Sequence, residues 1–311
     1  MQTEYLREFV ELMDREQVHM FGIAIQKGGK LVDEYRWEPD VPHQLYSMSK
    51  SYTSMAVGIA IGEGRFGLDD RVADFFPEYD KGDISDLKKK TTVRHLLTMA
   101  AGHTQPVLMG GRAEELVNKD FRDPTENDWA RAFLKAEPDH EPGTNFVYDS
   151  GCTYMLGRIV EKTSGEDTRD YLVPRLFEPL GIETPEWDRC PTGHSLCGSG
   201  LHLRTKQSLA FGQMLLQGGE YGGRQLVPAE WVKEATTFKI ATDRCGFFPD
   251  KALGYGYQFW MARHGAYRAS GAHGQGCFVV PYQDAVICYN AHTPKMQTLL
   301  EGLWDLVIPR L

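Results

Sequence analysis

The sequence predicts an α/β (α+β) protein whose antiparallel sheet is assembled from both ends of the chain, around a mainly helical insertion. Strand patterns occur over 19–37 and again over 255–290, and the periodicity between them is almost entirely helical. Amphipathic helices flank the strands at both termini, over 3–17 and 295–308. With 311 residues the chain can bury a sizeable core in one domain of two lobes. The sheet lobe takes 1–45 plus about 200–311, and the helical lobe about 46–200.

The first helix places Leu6, Phe9, Val10, Leu12 and Met13 at helical spacing among charges. His19–Gln26 and Leu31–Trp37 read as a hairpin turned by Lys27-Gly28-Gly29-Lys30. Val41-Pro42 breaks the strand pattern and leads into a helix opened by Ser47, which ends near Gly62–Gly64. Leu68 to Pro77 reads as turn and short helix. Thr91–Met99 is a capped helix, and residues 103–125, with Gly110-Gly111, form a loop long enough to cover a cleft. Helices follow at Asn127–Lys135, about 151–163 behind an Asp149 or Ser150 cap, about 168–176, Thr205–Leu216 and Pro228–Thr236. Glycine-rich loops occupy 192–200 and 218–223. The closing strands are Tyr255–Met261, Ala266–Ser270, Cys277–Val280 and Ala285–Asn290, the last two joined by a turn at Pro281–Asp284.

A net charge of -9 and a pI near 5.6 argue against nucleic acid or an anionic membrane as partner, because phosphate binding needs a basic face. No run approaches the ~20 apolar residues of a membrane span. The start MQTEYLREFVELMDREQ lacks the basic-then-apolar pattern of a secretory leader, so a cytoplasmic location is expected. Six dispersed cysteines without C-x-x-C fit reduced thiols better than a disulfide framework. Cys190, His194, Cys197 and His202 could in principle ligate zinc, but their spacing matches no common zinc pattern, and no metal or other cofactor is assigned.

The most informative stretch is Gln44–Gly62, QLYSMSKSYTSMAVGIAIG, whose single charge is Lys50. An ammonium buried in so apolar a helix needs a partner or loses its proton. Ser47 stands three residues earlier, on the same helical face. A desolvated lysine, neutral for part of the time, can take the proton of a serine hydroxyl, and the backbone N–H groups of a helix start can hold an oxyanion. This is an S-x-x-K arrangement. Ser85-Asp86-Leu87-Lys88 has the same spacing but lies in KGDISDLKKK, which reads as a solvated loop or helix start, so that copy is assigned no function.

Tyr148 is the candidate third member, since a phenol beside an ammonium has its pKa lowered and can relay the serine proton. Four segments carry a wider likeness: Ser47-Met48-Ser49-Lys50, TTVRHLLTMAAGH at 91–103, EPGTNFVYDSGCTYMLGRIVEKTSG at 141–165, and the closing GYGYQFW and VVPYQDAV. Together they resemble the class C β-lactamase and penicillin-binding-protein family of serine hydrolases, which also holds esterases and D-amino-acid peptidases. The resemblance runs from about residue 20 to 290 and implies a β-lactamase/transpeptidase-like fold. It makes Ser47 the acylated nucleophile, Lys50 its proton partner and Tyr148 the tyrosine of a Y-x-N element whose third position is here Ser150. The family's Lys-Thr-Gly or His-x-Gly strand corresponds to Gly271–Gly276, which implies substrate contacts from His273, Gly274 and Gly276. The expected substrate is a small-molecule ester, amide or β-lactam. Because cell-wall chemistry takes place outside the cytoplasm, an intracellular esterase or amidase is favoured. A non-catalytic, penicillin-binding sensor on the same scaffold is the alternative, motivated by Ser150 and the irregular third element.

Overall fold

A computed structural model of the chain describes residues 4–82, 84–108, 127–243 and 249–311. In chain order, α1 (Arg7–Arg15), β1 (Met20–Lys27), β2 (Lys30–Arg36) and β3 (His43–Gln44) lead to a 3-10 turn, Tyr46–Met48, and α2 (Ser49–Gly62). The helical part continues with α3 (Val93–Leu97), α4 (Trp129–Lys135), α5 (Ser150–Ser164) and α6 (Thr168–Leu172). β4 (His202–Leu203), α7 (Thr205–Leu216), β5 (Glu220–Tyr221), β6 (Arg224–Gln225) and α8 (Ala229–Ala235) follow. The chain closes with β7 (Trp260–Met261), β8 (Tyr267–Gly271), β9 (Gln275–Val280), β10 (Ala285–Ala291) and α9 (Met296–Gly302).

Strands from the two chain ends meet in one six-stranded sheet of order β2-β1-β10-β9-β8-β7, antiparallel throughout. Its β1–β2 turn uses left-handed Gly28 and Gly29, at φ 55° and 73°. Alternation along the strands sends Ile23, Ile25, Phe278 and Ile287 to a layer formed by α1 and α9, where they pack on Phe9, Leu300 and Trp304. Ala24, Cys277, Val279 and Cys288 face the other way, into the core shared with α7 and α2.

α2 is the centre of that second core. Every residue from Ser49 to Ala60 is buried, as a helix whose one charge is Lys50 and which has no polar face must be. Tyr52 stacks on Phe211 of α7 with ring centroids 3.8 Å apart. Caps fix the helices around it: Thr92 and His95 form a reciprocal capping box on α3, and Asp128 accepts the Ala130 and Arg131 N–H groups at 3.1 and 3.2 Å. Among the described residues, no helix is long and apolar enough to cross a membrane.

Three sequence expectations are corrected. The helix expected to open at Ser47 begins at Ser49, because residues 46–48 form the 3-10 turn. The strand over Tyr255–Met261 is confined to 260–261, since Gln258 adopts a left-handed φ of 68° and turns the chain. Lys88 is buried, with 2% exposure, rather than solvated. Most of the loop expected over 103–125 lies outside the described residues, as does Cys245; the other five cysteines are buried free thiols.

The β8–β9 hairpin approaches the 3-10 turn so closely that a Cβ on Gly271 would stand 2.1 Å from the Leu45 carbonyl oxygen. Backbone cannot yield as a side chain can. Gly271→Ala is expected to cost about 1–3 kcal/mol of stability, read from the urea unfolding midpoint, and an unchanged midpoint would contradict this packing.

Candidate active site

Ser47 lies in the 3-10 turn at the entrance to α2, behind Tyr46, whose left-handed φ of 48° redirects the chain there. Ser47 is half-buried, whereas its neighbours Met48 and Ser49 are buried. Lys50, in the first turn of α2, has 0% exposure. Its Nζ lies 3.1 Å from Ser47 Oγ, 2.9 Å from Ser150 Oγ and 2.6 Å from the Gly198 carbonyl oxygen. An ammonium would donate to all three oxygens. A neutral amine keeps two donors and turns its lone pair toward the third, which makes it an acceptor for the Ser47 hydroxyl.

Desolvation pushes the Lys50 pKa down to about 7, reinforced by the Lys251 charge and opposed by Asp149 and Cys152. The amine is therefore neutral in much of the population at physiological pH. Tyr148 stands beside it, the Lys50 Nζ 5.0 Å from the ring centroid. Here the sequence expectation is reversed. Desolvation pushes the phenol up to about 12, and hydrogen bonds with Ser47 and Trp260 offset only part of that shift. Tyr148 thus stays protonated, because withdrawal from water outweighs the hydrogen bonds that would stabilise a phenolate.

Ser150, expected to contact substrate, is the first residue of α5 and receives the Lys50 N–H. Asp149 caps that helix, accepting the Gly151 N–H at 2.7 Å, and also binds the Val107 N–H at 2.9 Å. The loop before β4 supplies the Gly198 carbonyl and is tied to α2: Thr53 Oγ1 donates to the Cys197 carbonyl at 3.0 Å, and the Leu201 N–H to Ser49 Oγ at 3.2 Å. An aromatic wall backs Tyr148, with Trp260 at 5.4 Å between ring centroids and Tyr255 at 6.1 Å.

The third element is less direct. His273 sits exposed at the β8–β9 tip, its ring 5.0 Å edge-on to Tyr46 and stacked on His292 at 4.8 Å. Gly274 and Gly276 do not offer open backbone to a substrate on their side-chain faces. A Cβ on Gly274 would meet Ala291 at 2.7 Å, and one on Gly276 the Tyr289 ring at 2.2 Å, so both glycines make room within the sheet. Gly271 is the glycine that lets this hairpin reach the Ser47 turn.

The cysteine–histidine cluster disperses. Cys190 contacts Tyr154, His194 pairs with Glu161, His202 pairs with Asp188, and Cys197 Sγ lies against Gly157. The described side chains that could jointly hold an ion are instead Glu186, Asp188 and His202. Gln44 already donates to Asp188 at 2.9 Å.

With this geometry the comparison with known proteins is direct: the sequence pattern of the family described as Beta-lactamase matches residues 7–307. The chain belongs to the β-lactamase family. It is similar to the 6-aminohexanoate-dimer hydrolase of Paenarthrobacter ureafaciens, 27% identical over 295 residues, or 88% of this chain and 73% of that one. It is 25% identical over 183 residues to Protein flp of Staphylococcus aureus strain MW2, a match covering 55% of this chain but only 35% of that protein's length. The crystal structure of a family VIII carboxylesterase has the same fold, with a TM-score of 0.71, 18% identity and coverage of 99% and 97% of the two chains.

The lowered Lys50 pKa yields a pH prediction for this β-lactamase-family site. Modification of Ser47 by a fluorophosphonate should accelerate with pH as the amine loses its proton, reach half its maximum at about pH 7 and level off above about pH 8. A rate flat from about pH 5.5 to about pH 8.5 would contradict a lysine titrating there.

Proposed function

We propose that the protein is a serine hydrolase that cleaves a small ester or amide through an acyl-Ser47 intermediate. The observation that carries this reading is the buried Lys50 amine 3.1 Å from the hydroxyl of a half-buried serine.

Neutral Lys50 removes the Ser47 proton as Oγ attacks the substrate carbonyl. The Ser47 N–H and an N–H of the β8–β9 tip cradle the developing oxyanion. Tyr148, held protonated, gives its proton to the departing alcohol or amine and regains one through Lys50. The acyl–Ser47 bond forms as the bond to the leaving group breaks. Water then attacks the ester along the reverse proton path, releasing the acid and restoring Ser47.

This division of labour separates the variants. Ser47→Ala should abolish hydrolysis of p-nitrophenyl esters and D-aminoacyl amides. Lys50→Ala should cost at least about a thousandfold in kcat/KM. Tyr148→Phe should cost about a hundredfold on amides and much less on p-nitrophenyl esters, whose leaving group needs no proton. Equal losses on both classes would remove the donor role. A penicillin that labels Ser47 with an initial burst and no steady turnover would favour the sensor alternative.

A further inference from the structure

Away from Ser47, a mixed set of donor side chains lies on one face of a small strand arrangement. Residues 186–188 run extended and antiparallel to 200–202. The Asp188 N–H donates to the Gly200 carbonyl at 2.8 Å, the His202 N–H donates to the Glu186 carbonyl at 3.0 Å, and Trp187 pairs with Leu201 between them. β3 adds to the other side of β4, with Gln44 opposite His202. Side chains directly opposite one another in a ladder leave by the same face, as do residues two apart along a strand. Gln44, His202, Glu186 and Asp188 therefore share a face, while Trp187 and Leu201 turn into the core. Opposite Asp188 stands Gly200, where a Cβ would meet the Asp188 Cβ at 2.6 Å and its Oδ2 at 3.0 Å. The missing side chain leaves room for the carboxylate.

The ligand atoms of Glu186, Asp188 and His202 all lie within 4.8 Å of one another. Hydrogen bonds account for part of this convergence: His202 Nε2 stands 3.1 Å from Asp188 Oδ1, and Gln44 Nε2 donates to Asp188 Oδ2 at 2.9 Å. They leave Glu186 unexplained. Two carboxylates facing one imidazole carry excess negative charge even when the ring is protonated, and like charges this close repel. A divalent cation held by a neutral imidazole cancels both carboxylates. One nitrogen and two carboxylate ligands suit a zinc-type ion, whereas calcium and magnesium take oxygen ligands. A cavity of about 360 Å³, lined among others by Glu183, Thr184, Glu186, His202 and Gln207, opens beside the cluster and gives water room to complete the shell. Arg204 also lines it, and its Nη1 donates to the Asp40 carbonyl.

We propose that Glu186, Asp188 and His202 form a binding site for a divalent transition-metal ion of the zinc type, with Gln44 orienting Asp188 from behind. Ligation replaces the hydrogen bond between His202 and Asp188: the neutral imidazole carries its proton on Nδ1 and turns the Nε2 lone pair to the ion. The ion is structural and stands apart from the Ser47 chemistry, so the proposal holds whether or not Ser47 is acylated. Its link to the rest of the molecule is the loop before β4. Lys50 donates to the Gly198 carbonyl of that loop, and Trp187 Nε1 donates to the Ser199 carbonyl at 2.8 Å. An ion joining 186–188 to β4 fastens the same loop from its outer side.

Isothermal titration of tag-free, chelator-treated protein with zinc chloride tests this. One ion should bind per chain with a Kd of about 1–10 μM, and free zinc at about a hundredfold above Kd should raise the thermal midpoint by about 4 °C. Glu186→Gln, at an exposed position, and His202→Ala should each weaken binding at least about tenfold and lower the thermal shift to about half or less. His194→Ala, which alters the histidine paired with Glu161, should leave both readings unchanged. Calcium chloride should bind at least about a hundredfold more weakly than zinc. Circular dichroism of each metal-free variant verifies that it is folded. The proposal is overturned by the lack of a saturable zinc site, by zinc binding unchanged in Glu186→Gln or His202→Ala, by its loss in His194→Ala, or by calcium bound as tightly as zinc.

Discussion

A lysine nitrogen kept out of water beside a serine hydroxyl is the constraint around which this molecule is arranged. Enclosing a bare ammonium costs several kcal/mol, so the nitrogen must either find oxygen partners or give up its proton. Both happen at Lys50. Oxygens from three separate stretches of chain surround it: Ser47 from the turn before α2, Ser150 from the start of α5 and the Gly198 carbonyl from the loop before β4. Each can be there only if α2, α5 and that loop are locked together. Gln258 contributes to the lock: its carbonyl accepts from Ser51 at 2.8 Å, and its side chain accepts from Thr153 at 2.6 Å and donates to the Leu97 carbonyl at 2.8 Å. Its left-handed backbone is the strain that accompanies those bonds.

The second S-x-x-K copy marks the boundary of what the motif itself explains. Lys88 is as deeply buried as Lys50, and desolvation likewise brings its pKa down, to about 8. Its nitrogen, however, lies 3.1 Å from His103 Nε2 and 4.0 Å from the Phe133 ring centroid, while Ser85 Oγ donates to Glu137 at 2.8 Å. The spacing is the same, but serine and lysine point to different partners. Reactivity follows from the atoms at the lysine nitrogen, not from burial or spacing alone.

Local signals made the frame legible: the two-residue alternation of the end strands, the glycines of the first hairpin, and the apolar run through α2 whose one charge is a lysine three residues after a serine. What escaped depends on contacts across the chain. Gly198 acts through a backbone oxygen and has no side chain to announce it. Trp260 lay in a segment read as strand because GYGYQFW alternates, although Gln258 turns the backbone. Lys251 carried no motif at all. The direction of the Tyr148 shift could not be read from its nearness to Lys50, because desolvation is set by the surrounding fold. Lys88 was hidden in a charge run whose other members do reach the surface: Lys89 pairs with Asp80 and Lys90 with Glu141.

The most direct measurement is the protonation of the Lys50 amine itself. Nuclear magnetic resonance titration of protein labelled with isotope in its lysine side chains, assigned by comparison with Lys50→Arg, reports that equilibrium without any substrate. A midpoint at about 7 is the predicted result, and a midpoint near the ordinary lysine value of 10.5 would contradict the account at its base.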